Sequence, residues 1–409
     1  MSEVAQVPQL RFPEFSGEWE EKRFDSLYPT VRNGFVGVAT PYYVEEGVPY
    51  LQGKNIKSGA INRNGLVYIN ESFHQKSKKS QLRQNDIVMV QSGHVGECAV
   101  ITEEFEDTNC HALLVSTPTH DIDSKFYINY FYSKFGRKKI YRITTGNTIK
   151  HILSSDLKIQ TVSNPSYQEQ QKIAAFLTAV DNKIEQLSKK QELLSEYKKG
   201  VMQQIFSQAI RFKADDGSEF PEWKERRLGD VCSKAKSGGT PRSTTKEYYD
   251  GDIPFLAISD ITRQGKYLTS ASKKISQLGI DNSASWIVPI DTIIYSMYAS
   301  VGFVSINKIP LATSQAVINL IVKDGYSIEF IYYHLIEVKK TIHKFIETGT
   351  QGNLNAQTVK SLILNIPSLP EQAKIANFLS SIDNKIEQVG KQLDESKQFK
   401  KALLQQMFV

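Results

Sequence analysis

Cysteine is scarce in this chain: Cys98, Cys110 and Cys232 form an odd, scattered set among 409 residues, which excludes a disulfide framework. Long apolar runs are missing too, and none approaches the length of about 20 residues that spans a bilayer. The opening MSEVAQVPQLRFPEF has neither the basic region nor the apolar region of a secretory signal. These absences point to a cytoplasmic protein with no membrane partner. Catalytic signatures are equally lacking. There is no phosphate-cradling Walker loop, no Gly-x-Ser-x-Gly elbow and no His-Glu-x-x-His pair. His94, Cys98, Cys110 and His111 fit no zinc-site spacing and have no counterpart later in the chain, so no metal site is expected.

What is present is a foldable chain with a mild basic bias. Hydrophobic residues make up 40% and aromatic residues 10%, enough for two cores of ordinary domain size. The net charge of +6 is compatible with a nucleic-acid partner without demanding one.

The strongest signal is internal repetition. Residues 168–206 align without a gap on 370–408 at a constant offset of 202, with 19 of 39 positions identical. The shared text includes EQxKIAxFL from Glu169 and Glu371, DNKIEQ from Asp181 and Asp383, and KKxxxQQxF from Lys198 and Lys400. Weaker echoes lie outside this segment. Trp19, Glu21 and Arg23 match Trp223, Glu225 and Arg227, and Val48-Pro-Tyr-Leu resembles Ile253-Pro-Phe-Leu. Asn85-Asp-Ile-Val-Met-Val before Gly96 resembles Ile290-Asp-Thr-Ile-Ile-Tyr before Gly302. The two halves therefore share a scaffold and differ in the residues between these landmarks. Each half begins with short β-rich runs punctuated by Gly, Pro and Asn, continues through a helical stretch, and ends in a long helix after a proline turn.

In the first repeat, apolar residues fall at Ile173, Leu177, Val180, Ile184, Leu187, Leu194, Val201 and Ile205. The second has them at Ile375, Leu379, Ile382, Ile386, Val389, Leu393, Leu403 and Met407. Steps of three, four and seven make a coiled-coil seam, on helices roughly 58 Å long at 1.5 Å per residue. Two such helices in one chain can cover each other if they run antiparallel. The expected fold is thus α+β: two similar globular α/β domains separated by two long antiparallel coiled-coil helices in a pseudo-two-fold arrangement. Asp181, Asn182, Lys183 and Glu185, with Asp383, Asn384, Lys385 and Glu387, lie mostly off the seam. Their duplication is hard to explain by self-packing and suggests a repeated docking face for a partner.

The rest of the chain carries basic clusters on loops. No acidic residue stands between Asp123 and Asp156, where Lys125, Lys134, Arg137, Lys138, Lys139, Arg142 and Lys150 occur. Lys76, Lys78 and Lys79 with Arg83 form another acid-free stretch, and Arg263, Lys266, Lys273 and Lys274 lie between Asp260 and Asp281. Uncompensated cations suit DNA phosphates, and polar loop residues beside them suit base edges. Lys54, Asn55, Gln91, His94, Arg242, Arg263, Tyr298, Gln351 and Asn353 are the candidates for the second role. A solvated face would account for any one cluster; recurrence in both halves favours nucleic acid.

Asn164-Pro-Ser-Tyr167 looks like the Asn-Pro-Pro-Tyr motif of adenine-N6 methyltransferases but departs at its third position. Its repeat partner, Ile366-Pro-Ser-Leu369, keeps the turn and loses the chemistry. No catalytic residue is assigned.

Taken together, the twin EQxKIAxFLxxxDNKIEQ helices and the two variable regions before them resemble the specificity subunit of type I restriction–modification systems over essentially the whole chain. The Ser237-Gly-Gly-Thr-Pro241 loop, the Gly146-Asn-Thr-Ile149 turn and the Gly349-Thr-Gln-Gly-Asn353 turn are further family-like features. The first region lacks a clear Gly-Gly-Thr-Pro loop, a departure from the pattern. The resemblance implies an N-terminal extension (1–19), a target-recognition domain (20–162), a spacer helix (163–210), a linker (211–222), a second recognition domain (223–366) and a second spacer helix (367–409). It also implies a double-stranded DNA target in two halves, two docked methyltransferase subunits, and restriction/translocase subunits that complete the nuclease. The S-adenosylmethionine, ATP and Mg of that complex would belong to the partners, with no cofactor on this chain. A coiled-coil scaffold with two protein-binding heads is the rival reading, separable by the salt dependence of binding to random DNA.

Overall fold

The computed structural model describes residues 6–298, 300–345 and 354–409. It is a mixed helix-and-sheet fold of two compact units, Met1–Lys189 with Gly390–Val409, and Lys190–Val389. Two long helices, Tyr167–Phe206 and Leu369–Gln406, each contribute to both units. Among the described residues no helix is long and apolar enough to cross a membrane.

Within the first unit, the strands Thr30–Asn33, Leu113–Thr117, Ile87–Val90 and Cys98–Val100 form an antiparallel sheet in that order. Ile87–Val90 (Ile-Val-Met-Val) is buried throughout, which explains its unbroken apolar run. A second sheet joins Asn109–Cys110, Val48–Leu51, Val67–Ile69 and Tyr43–Val44, its first pair parallel. The second unit repeats the plan. Cys232–Ser237, Val317–Val322, Ile293–Ser296 and Val304–Asn307 correspond to the first sheet, with Tyr267–Leu268 added at the edge. Ile253–Leu256 pairs in parallel with Leu311–Thr313, as Val48–Leu51 does with Asn109–Cys110.

The structure moves one sequence equivalence by a residue. Asn85 and Asp291 both take positive φ, +68° and +60°, at the turn before the central strand. Gly96 N–H donates to Val90 O, and Gly302 N–H to Ser296 O. Asn85 therefore corresponds to Asp291 and not to Ile290. The polar side chains that tolerate the left-handed turn, not the apolar run after it, fix the register.

Each unit is closed by the end of the helix that started in the other half of the sequence. In the first, Leu403, Met407 and Phe408 join Ile173, Leu177, Trp19 and Phe126 in one core. In the second, Val201, Met202, Ile205 and Phe206 join Ile375, Leu379, Ile382 and Phe330. The start of one helix thus lies against the end of the other, an antiparallel pairing. The aromatic geometry repeats: Trp19–Phe126 and Phe126–Phe408 ring centroids are 5.7 and 5.3 Å apart, Trp223–Phe330 and Phe206–Phe330 5.9 and 5.6 Å. Every apolar position of the second seam is buried or half-buried.

The arm before each head is pinned to the start of a long helix. Arg11 donates from Nε and Nη2 to the two carboxylate oxygens of buried Glu169, at 2.7 and 2.8 Å. Arg211 reaches Glu371 in the same way, its Nη2 at 2.9 Å from Oε2. Beside them, Gln170 Oε1 accepts from Asp123 N–H and Gln372 Oε1 from Ser327 N–H. Asp123 and Ser327 in turn cap the helices Ser124–Tyr132 and Ile328–Val338. The repeated Glu-Gln pair is thus absorbed by the fold.

Candidate nucleic-acid interface

On the first head, a cleft of about 940 Å³ gathers Lys54, Lys57, His94, Arg137, Lys138, Tyr141 and Lys150. Two loops are tied together to build it. Gly93 N–H donates to Lys150 O at 3.2 Å and Ile152 N–H to Gln91 O at 2.9 Å, setting the half-buried Gln91 and exposed His94 beside Lys150. The helix Lys134–Arg142, capped by the Ser133 hydroxyl on Gly136 N–H, presents Lys138 and Arg142 to solvent. Lys150 Nζ lies 5.5 Å from the centre of the Tyr141 ring.

Not every cation of this stretch is uncompensated. Arg137 donates to Glu97 at 2.9 Å and stacks over Tyr132, and Lys139 reaches Glu21 at 2.7 Å. Burial alone would raise the Glu97 carboxyl, but Ser58 N–H, Arg137 and the Tyr132 hydroxyl hold it below its usual range. The acids come from other segments, so an acid-free stretch of sequence did not make an acid-free surface. Asn55 is likewise turned inward. It is fully buried, accepts from Gln52 N–H at 3.0 Å and donates to Asn62 O at 3.0 Å, shaping the turn that exposes Lys54.

A second basic ridge carries Lys76, Lys78 and Lys79, all exposed. Arg32 holds it from beneath, donating to Lys79 O at 3.1 Å, Gln81 O at 2.7 Å and buried Asp86 at 3.1 Å. Grooves of about 740 and 410 Å³ flank the ridge.

On the second head, Arg242 is exposed just past Thr240-Pro241, a turn fixed by the Tyr249 hydroxyl on Pro241 O at 2.6 Å and Thr240 on Gln315 at 2.7 Å. Tyr298 is exposed on the loop after the central strand. Arg263 is exposed but bonded to Asp260 at 2.7 Å, and Lys274 to Asp252 at 2.9 Å. Lys266 faces the long helix instead of solvent. Its Nζ donates to the Tyr333 hydroxyl and to Ser380 Oγ, each at 2.9 Å, and burial lowers its ammonium pKa against the pull of Asp383. Gln351 and Asn353 lie outside the described residues. Sequence reasoning passed over Lys234 and Lys236, which sit at alternate positions of the edge strand Cys232–Ser237 leading into the Gly-Gly-Thr-Pro loop. Both are exposed, and Lys234 Nζ lies 3.9 Å from the Trp286 ring centre. The readable signal was Lys-x-Lys with strand periodicity.

The repeated helix text has two uses. Asp181 pairs with Lys400 at 2.6 Å and Asp383 with Lys198 at 2.5 Å, so DNKIEQ is bonded to KKxxxQQ. Asp383 also accepts from the Tyr333 hydroxyl at 2.6 Å. Self-packing therefore accounts for these two aspartates, contrary to the expectation from the sequence. Asn182, Lys183 and Glu185, and Asn384, Lys385 and Glu387, are exposed. Cys98 and Cys110 are buried, with thiols pushed up to about 12 by desolvation.

The family model described as the type I restriction modification DNA specificity domain matches residues 16–195 and again 221–396. The type I restriction enzyme MjaIX specificity subunit of Methanocaldococcus jannaschii is 32% identical over 193 residues, 46% of this chain and 44% of that relative. The chain thus spans under half of that relative's length. The MjaVIII specificity subunit of the same organism is 24% identical over 97% of this chain and 92% of its own. In fold, the chain is similar to the type I restriction–modification system S subunit from M. genitalium, with a TM-score of 0.61, 20% identity and coverage of 98% and 99%.

Proposed function

Because the chain belongs to the type I restriction–modification DNA specificity family, we propose that it reads a bipartite DNA target, one half-site per head. The helices carry docked methyltransferase subunits. The observation that carries this reading is a duplicated scaffold with unlike exposed loops: the same sheets and cores recur, while the basic and polar residues at the loops differ. Phosphate contacts supply affinity and orientation, and loop side chains supply sequence choice. Lys138, Arg142 and Lys150 suit phosphates in the first head, with Lys54, His94 and Gln91 beside them for base edges. In the second head the exposed Arg242 and Tyr298 are the candidates for these contacts. Half-sites about one helical turn apart would present both to one face of the duplex.

Asn182, Lys183, Glu185, Asn384, Lys385 and Glu387 form the candidate docking face on the helices. Methyl transfer, ATP hydrolysis and cleavage, with S-adenosylmethionine, ATP and Mg, fall to the methyltransferase and restriction/translocase subunits. This chain is a non-catalytic, cytoplasmic component. Exchanging residues 20–162 for those of another family member tests the reading. Mapping of methylated adenines should reveal one altered half of the motif and one unchanged half; alteration of both would sink it.

A further inference from the structure

Gly34 and Gly238 occupy equivalent places. A Cβ at Gly34 would stand 2.8 Å from Cys110 O, and one at Gly238 1.8 Å from Thr313 O, each at the end of the corresponding parallel-paired strand. From there the heads diverge. One residue separates Gly238 from Thr240-Pro241, whereas five separate Gly34 from Thr40-Pro41. The first head thus keeps the Gly…Thr-Pro frame, missed in the sequence, and carries a four-residue insertion inside it.

The insertion is anchored at both ends and apolar at its tip. Phe35 packs edge-on against Phe73 at 4.9 Å, and Ala39 is buried. Between them Val36 and Val38 are 67% and 75% exposed. Gly37 holds φ +147°, and a Cβ there would press on the Phe35 ring at 3.2 Å. The turn that thrusts both valines outward therefore needs glycine. The groove at its foot is lined by Asn33, Gly34, Phe35, Lys76, Lys78 and Lys79. An occupant that matches this surface offers apolar groups to the valines and negative charge to the neighbouring lysines.

We propose that the Phe35–Ala39 loop is a specificity-determining element that reads thymine, with Val36 and Val38 meeting 5-methyl groups in the major groove while Lys76, Lys78 and Lys79 take the adjoining phosphates. The inference rests on the DNA-reading role proposed above and assigns a chemistry to one loop within it. Valine is short for a wedge between stacked bases, which uses Phe, Leu, Ile, Met or Pro, and suits apolar contact with a thymine methyl. The second head lacks this insertion.

The test uses the chain assembled with its modification subunits and a duplex bearing the motif found by methylated-adenine mapping. Each thymine is replaced in turn by deoxyuridine, which removes only the methyl. Binding by the parent should weaken about three- to five-fold at one or more thymines of a single half-site. The V36S/V38S double variant, with an unchanged melting temperature because both side chains are exposed, should bind thymine and uracil duplexes alike. Equal uracil penalties in parent and variant would overturn the inference, as would a parent indifferent to every replacement. Failed assembly of the variant with its subunits, at an unchanged melting temperature, would overturn it in favour of a protein contact. A parent that binds no motif duplex would instead remove the DNA-reading role itself.

Discussion

At the foot of each head, a guanidinium from the preceding arm meets a buried carboxylate at the start of a long helix. Glu169 and Glu371 have almost no solvent to fall back on, their side chains 2% and 0% exposed. Removing the arginine leaves an uncompensated buried charge, so Arg11→Met should cost about 3–5 kcal/mol in denaturant unfolding. R11M combined with E169L should recover most of that loss, since an apolar pair of similar volume needs no counter-charge. His334 gives a second expectation. Burial lowers its pKa from 6.5 to about 4, while Asn365 N–H donates to its Nε2 at 3.2 Å. The folded state therefore holds it neutral where the unfolded chain binds a proton. Stability from this group is intact above pH 6.5 and is lost as pH falls toward about 4, approaching about 3 kcal/mol at 1.36 kcal/mol per unit. The transition of the second head should show this slope between pH 7 and 5. Tyr130 holds the equivalent position in the first head, and His334→Tyr should flatten the slope.

The long helices were legible because their heptad spacing and the offset of 202 are properties of the linear text. So were the central strands, whose apolar runs are longer than any loop tolerates. The arm was not legible, although Leu10-Arg11-Phe12 and Ile210-Arg211-Phe212 resemble each other. Its loops differ in length, so the offset is 200 at the arginine and 204 at the tryptophan, and no gapless comparison joins them. The basic clusters were legible as composition and misleading as surface, because Glu21, Glu97 and Asp252 arrive from other elements to neutralise Lys139, Arg137 and Lys274, and Asp260 pairs with Arg263 one turn along the same helix. The Asp181–Lys400 pair is only partly screened from solvent, with side chains 43% and 20% exposed. A double-mutant cycle on it should return a coupling of about 0.5–1 kcal/mol, a contribution to register more than to stability. Phe408→Ala should be far costlier, about 3–5 kcal/mol. Although the change lies one residue from Val409, melting should show the loss in the first head, whose aromatic core Phe408 fills.

For the whole molecule, the exposed cations set how binding responds to salt. Each lysine that neutralises a phosphate releases about one counterion. K138A with K150A should therefore weaken binding to random duplex DNA uniformly and reduce the slope of log K against log salt by about 2. Lys266→Ala should leave that slope unchanged, because its ammonium is spent on Tyr333 and Ser380. A slope altered by K266A and untouched by K138A/K150A would misplace the interface.

The crosswise closure of the two cores also bears on how the protein is made. The first head leaves the ribosome early but lacks Leu403, Met407 and Phe408 until the second long helix has been synthesised. The second finds Phe206 already synthesised. At roughly 5–20 residues per second, the earlier-born head waits on the order of 10–40 s with Trp19, Phe126 and Tyr130 uncapped, the interval in which a nascent-chain chaperone would have most to hold.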